Sequence, residues 1–251
     1  MKSLRELYRI GCGPSSSHTM GPAAAAGVYK LKVPTAARFR VTLFGSLAAT
    51  GRGHFTDQAV MRVLGDATEI VWKADELLPE HPNGMTFESW DADGAELGAW
   101  TCYSIGGGAI RADSGAESKD VYSYASMSEI LKCCEETGLP MWQLVEDAEG
   151  DEIAAYLESV LTTMWRSIDA GLKHDGVLPG GLKLPRRARQ FYRKARMQQK
   201  DFRRTGLVTA YATAVAEENA SLGTVVTAPT CGSCGVVPAV LRNLRETLGC
   251  D

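Results

Sequence analysis

The sequence predicts an α+β protein: an N-terminal α/β sandwich domain over residues 1–120, then a mainly helical, incomplete domain over residues 121–251. Three observations carry this prediction. Strand and hairpin patterns are confined to the first part, helical periodicity dominates beyond residue 120, and 251 residues suit two domains of about 100 to 200 residues each.

Residues 38–44 alternate, with Phe39, Val41 and Leu43 on one side and Arg38, Arg40 and Thr42 on the other, as in a strand with one buried face. The run enters Gly45, Ser46 and a loop broken by Gly51 and Gly53. Thr56 or Asp57 then caps a helix carrying Val60, Val63 and Leu64. Residues 86–90 and 97–105 flank a turn holding Asp93 and Gly94, which reads as a hairpin. Gly106, Gly107 and Gly108 end its second strand. The polar segment 113–120 marks the domain boundary. Beyond it, Ser126 and Glu129 have the form of a capping box, for a helix that stops at Gly138 with Pro140 close behind. Cys133 and Cys134 fall inside that helix as core and boundary residues. Ile153, Tyr156, Leu157, Val160, Leu161, Met164, Trp165, Ile168 and Leu172 make one wide apolar stripe, and Val208, Tyr211, Ala212 and Val215 repeat the period in a third helix. Residues 186–204 hold nine basic residues and one acidic. They read as a solvated face or subunit contact, with an anion or nucleic-acid site as the alternative.

Composition narrows the function classes. With 27 Lys and Arg against 30 Asp and Glu, the net charge of −3 argues against a general affinity for nucleic acid. No apolar run approaches the roughly 20 residues of a membrane span. Lys2, Arg5, Glu6 and Arg9 interrupt any signal-peptide core, so a cytoplasmic location is expected. Seven cysteines, an odd number, favour reduced thiols over a disulfide framework. Small molecules and other protein chains are the expected partners.

Three segments carry candidate chemistry. Residues 13–22 (Gly-Pro-Ser-Ser-Ser-His-Thr-Met-Gly-Pro) place four hydroxyls and His18 before the run Ala23, Ala24, Ala25, Ala26. A polar loop there feeds a helix N-terminus, where unpaired amides and the helix dipole suit a carboxylate. His18 is placed to exchange a proton beside it, although a plain helix cap would use the same residue types. Residues 44–57 follow a strand with three glycines, His54 and Asp57. They match neither a P-loop nor a dinucleotide fingerprint, and a tight turn accounts for them equally well. Residues 227–241 repeat the logic of the first loop, with Thr230, Gly232 and Ser233 as anion donors. Cys231 and Cys234 have C-x-x-C spacing, but without a second such pair, a paired histidine or a βαβ setting the zinc and redox readings are disfavoured.

Taken in order, residues 13–22, 44–57, 103–108, 176–188, and 217–219 with 227–241 resemble the iron-sulfur-dependent bacterial L-serine dehydratases. The resemblance implies an α/β beta domain followed by a helical alpha domain, L-serine as substrate, and a 4Fe-4S cluster acting as Lewis acid in place of pyridoxal phosphate. It assigns proton transfer to His18 and substrate contact to Ser15, Ser16, Ser17 and Thr19. Thr230, Gly232 and Ser233 are expected to hold substrate from the other side, and Lys183 is a charge partner. The family's cluster cysteines belong to glycine-rich motifs beyond residue 251, so no metal ligand is assigned within this sequence. The apolar face Val240, Leu241 and Leu244 is correspondingly expected to need a completing alpha-domain segment or a second polypeptide, and a homo-oligomer is expected. A non-catalytic small-carboxylate-binding or regulatory module is the alternative, and a thiol-disulfide protein a more remote one.

Overall fold

The computed structural model describes residues 1–112 and 120–249, the side chain of Asp201 excepted. Most of the segment 113–120, where the sequence places the boundary, therefore lies outside the described residues, as does Cys250.

The architecture is α+β. Five strands form one sheet in the order β3-β2-β4-β5-β6: β2 (Arg38–Phe44), β3 (Thr68–Lys73), β4 (Gly84–Trp90), β5 (Glu96–Gly106) and β6 (Ala109–Ala112). Strands β2 and β3 are parallel and the remaining pairs antiparallel. Parallel neighbours need a crossover, here supplied by α3 (Gly45–Gly51) and α4 (Thr56–Leu64). The alternation in β2 works as expected: Phe39, Val41 and Leu43 are buried, and with Met85, Phe87, Cys102, Tyr29, Leu47 and Val60 they form the core between the sheet and α2 (Gly21–Lys32), α3 and α4.

Two local expectations are corrected. The segment after β2 is the helix α3 and not a glycine-broken loop, because Leu47 and Ala48 find buried places and the Thr50 hydroxyl bonds back to the Ser46 carbonyl at 2.9 Å. Neither Thr56 nor Asp57 caps α4. Phe55 takes the cap position in the left-handed region, and the Thr56 hydroxyl donates instead to the His18 carbonyl. The glycines 106–108 end β5 as expected. All three have positive φ, forming the tight turn from β5 into β6.

Gly45 shows why glycine begins α3. Its φ is +49°, and a Cβ would stand 2.5 Å from Leu77 Cδ2 and 2.7 Å from the Pro82 carbonyl oxygen. Gly45→Ala is expected to cost about 1–3 kcal/mol, measured as a lower urea midpoint at unchanged m-value.

The second part is helical: α5 (Met127–Thr137), α6 (Met141–Glu149), α7 (Glu152–Lys173), α8 (Ala188–Arg196), α9 (Lys200–Asn219) and α10 (Val236–Leu248). The capping box forms as read: Ser126 Oγ accepts from the Glu129 amide, Glu129 reaches back to the amide of Ala125, and Gly138 closes α5 at φ 70°. Cys133 and Cys134 are half-buried, since α5 buries no residue completely, so neither is a core residue. Ile153, Val160, Met164 and Ile168 bury the stripe of α7.

The two parts are joined by the chain's beginning. After α1 (Leu4–Leu7), β1 (Ile10–Cys12) pairs antiparallel with β7 (Thr224–Val226), from beyond α9. Glu149 accepts from the Ser3 hydroxyl and the Leu4 amide, and the Tyr156 hydroxyl donates to the Tyr8 carbonyl. The loop after β1 leads directly from the helical part into the sheet part, and it carries His18.

Candidate functional site

Residues 16–20 form one π-type helical turn that runs without a break into α2. Ser15 is extended and caps it: its Oγ accepts from the His18 amide at 3.1 Å, and its carbonyl from the amides of Thr19 and Met20. The amides of Ser16 and Ser17 stand in the first turn, where intrahelical acceptors run out. A polar turn feeding a helix start is thus present, one turn earlier than the alanine run suggests.

Each side chain of the turn has a definite place. Thr19 is fully buried; its hydroxyl accepts from the Ser15 amide at 3.2 Å and donates to the His54 carbonyl at 2.9 Å. Ser16 is buried, whereas Ser15, Ser17 and His18 are half-buried at the surface of the turn. His18 Nδ1 lies 2.9 Å from Ser17 Oγ and Nε2 3.1 Å from Ser46 Oγ, and the rings of His18 and His54 are 4.8 Å apart. Hydroxyls give or take a hydrogen bond, so the imidazole is satisfied in either neutral tautomer. Burial lowers the His18 pKa from 6.5, the neighbouring charge of His54 lowers it further, and the hydrogen bond with Ser46 opposes them. The neutral base is the favoured form at pH 7.

Asn219, at the end of α9, holds the turn from the helical part. Its Nδ2 donates to the Pro14 carbonyl at 3.1 Å, and it packs so tightly on Gly13 that no Cβ fits there. Its Oδ1 is buried without a partner among the described residues, an open acceptor beside the turn. Asn219, Ser46 and His54 are the residues that sequence reasoning undervalued. The strand-loop-helix pattern singled out the segment of Ser46 and His54, but only the fold shows that it covers His18.

The second loop meets the first through sulfur: Cys231 Sγ lies 3.7 Å from Met20 Sδ, and both belong to a core cluster with Ile168, Tyr211, Val215, Val225 and Cys234. Thr230 and Gly232 are exposed. The Ser233 hydroxyl lies 3.1 Å from that of Thr230 and donates to the Ala228 carbonyl at 2.8 Å. Lys183 is exposed at φ +47° in the loop between α7 and α8, its amide bonded to Gly180 within that loop. The structure thus brings His18 together with Ser15, Ser16, Ser17 and Thr19, sets the Thr230 loop behind Met20, and leaves Lys183 on its own loop.

These residues do not fit an iron-sulfur cluster. Burial pushes both the Cys231 and Cys234 thiols up to about 12, with neighbouring sulfur adding to the effect at Cys231, whereas a cluster needs thiolates. Cys12 takes a hydrogen bond from Arg62 at 3.7 Å. Among the described residues no group of three or more His, Cys, Asp or Glu is arranged to hold a metal ion. A direct check is alkylation of the native chain at pH 8: Cys12, Cys133 and Cys134 are expected to be modified and Cys231 and Cys234 protected, read by peptide mass spectrometry. A cavity of about 550 Å³ lies elsewhere, between Leu4, Leu7, Met127, Ile130 and Met141. It is apolar and carries none of this chemistry.

The fold and site together define a two-part α+β protein whose histidine-bearing turn is clamped where the parts meet. Residues 3–68 and 62–115 match the serine dehydratase beta chain, and residues 109–251 match the serine dehydratase alpha chain. The chain belongs to the serine dehydratase family. It is 37% identical to an L-serine dehydratase of Streptomyces coelicolor, 35% identical to one of Haemophilus influenzae and 34% identical to L-serine dehydratase 1 of Escherichia coli. Each match covers 96% of this chain, which spans 65 to 66% of those relatives' length.

Proposed function

We propose that this chain is the beta domain, residues 1–120, and the N-terminal part of the alpha domain, residues 121–251, of a cytoplasmic lyase that converts L-serine to pyruvate and ammonia. The observation that carries the reading is His18, held neutral in a hydroxyl-lined turn between the two parts. Ser15, Ser16 and Ser17 and the first-turn amides receive the substrate carboxylate. Thr19, buried, braces the turn; Thr230, Gly232 and Ser233, on the loop behind Met20, are proposed as further substrate contacts, and Lys183, on a loop of its own, is the charge partner that the family resemblance implies. His18 takes the α-proton, the Cβ–O bond breaks, and the departing hydroxide receives that proton from His18 and leaves as water. The aminoacrylate that remains tautomerises to an imine, and water releases pyruvate and ammonia. The family resemblance implies a 4Fe-4S cluster as Lewis acid, with ligands outside residues 1–251. The described residues do not supply them.

The test is pyruvate formation from L-serine by the chain purified anaerobically with iron and sulfide, alone and supplemented with the remaining alpha-chain segment of a relative. Turnover in either arm supports the reading, and its absence in both rejects it. The missing ligand set favours one second reading, a small-carboxylate-binding module without catalysis. Calorimetry that detects no L-serine binding to the chain alone would dispose of that one.

A further inference from the structure

Helix α8 carries Arg189, Arg193, Lys194 and Arg196 and no acidic residue, and Arg203 and Arg204 follow near the start of α9. Contacts within the chain use only part of this charge. Arg189 pairs with Asp175, and Arg204 Nε donates to Asn243 Oδ1 at 3.1 Å. Arg196 and Arg203 meet no carboxylate among the described residues. Arg196 Nη1 reaches the Tyr192 hydroxyl at 3.5 Å, its guanidinium 5.8 Å from the centre of that ring, and Arg203 gives Nε and Nη2 to the Gln198 carbonyl at 3.3 and 3.2 Å. A guanidinium has five N–H donors, so most of theirs are left over.

These two arginines line one cleft of about 310 Å³ at the corner between α8 and α9, together with Tyr192, Leu207, Tyr211 and Glu246. Its inner wall is firm. Tyr211 is 2% exposed, and the Tyr192 ring lies 6.0 Å from it in the cluster around Ile168. Nor does Glu246 cancel the arginines, because its carboxylate already accepts from the Tyr211 hydroxyl at 2.7 Å and from Arg242 Nε at 2.9 Å.

We propose that this cleft binds a phosphate group, either as the free ion or as a small monoester. Each guanidinium presents a planar fork matched to two oxygens of an oxyanion. A carboxylate is saturated by one fork. A phosphate monoester offers three acceptor oxygens and a charge of about −1.5 to −2 at pH 7, enough to engage both arginines and the Tyr192 hydroxyl. Leu207 supplies an apolar wall for the organic part of an ester. Arg193 and Lys194, exposed on the same helix, stand outside the cleft and separate this site from diffuse attraction to a basic surface.

Calorimetric titration of the purified chain in a phosphate-free buffer tests this, with inorganic phosphate, phenyl phosphate and acetate compared at matched ionic strength. Phosphate should bind at a single site, and acetate should not displace it. Phenyl phosphate binding more tightly than the free ion would support the site as one for a monoester, and the reverse order as one for the ion. Arg196→Lys and Arg203→Lys keep the charge and lose the fork, so each should weaken binding about tenfold, the scale of one charge-assisted hydrogen bond, with an unchanged urea midpoint. Arg193→Gln should leave binding as it is. The proposal is overturned by a wild-type chain that binds neither phosphate nor phenyl phosphate, by acetate that competes equally well, by folded Arg196→Lys and Arg203→Lys chains that bind like wild type, or by an Arg193→Gln chain that loses as much as they do.

Discussion

In any preparation of this chain that turns over L-serine, His18→Gln is expected to lower kcat/KM by about 10²- to 10⁴-fold, the usual contribution of a positioned general base. Glutamine can still hydrogen-bond Ser46 but cannot accept the α-proton, so the loss belongs to chemistry and stability should change little. The pH profile sharpens the test. Burial and His54 lower the His18 pKa from 6.5, so the wild-type rate should hold through pH 7 and fall only below 6.5. The same shift has a stability sign. Between the folded and unfolded pKa values the unfolded chain binds more protons at this site, so its contribution is complete above 6.5 and is lost as the pH falls toward the folded value. The variant should lack that dependence in urea titrations run across pH 5 to 7. Full turnover with an unaltered profile would remove His18 from the mechanism.

What sequence could reveal here follows from the range of the interactions. β2 was legible because one face of a strand needs only alternate residues, and α7 because its apolar stripe is a local period. The start of α5 was legible for the same reason, since its cap lies within four residues. The clamp on His18 was not. Ser46, His54 and Asn219 reach it across β2, α3 and the whole of the helical part, and no local pattern encodes that meeting. Strand β3 is partly buried along most of its length and lacks a clean alternation. β6 hides behind three glycines that look like an ending and form a turn. The pairing of β1 with β7 is likewise non-local, and it explains why the polar turn sits between the two parts instead of within the first.

Arg186→Met is expected to be the most damaging single change to stability. Arg186 and Glu218 are 9% and 8% exposed, Nη1 to Oε1 is 2.8 Å, and Nη2 donates to Ser221 Oγ at 2.8 Å. His174 Nδ1 meets the same carboxylate oxygen at 2.7 Å from a more exposed position. Removing the guanidinium strands a buried carboxylate beside a half-solvated imidazole, a loss of about 3–5 kcal/mol from a total stability of about 5–15 kcal/mol. The damage should extend beyond the pair. The next residue along, Glu217, uses Oε1 to accept from the amides of Arg187 and Ala188 at 2.5 and 3.2 Å, so the start of α8 hangs on the same end of α9 that presents Asn219 to the His18 turn. Arg186→Met with Glu218→Met removes both charges and should recover much of the loss, because a buried pair replaced by apolar groups of similar volume is often neutral. Urea denaturation of the two single variants and the double completes the cycle. A single Arg186→Met variant within about 0.5 kcal/mol of wild type, the range of an ordinary surface substitution, would show that the carboxylate is solvated and that α9 does not depend on the pair for its place against the turn.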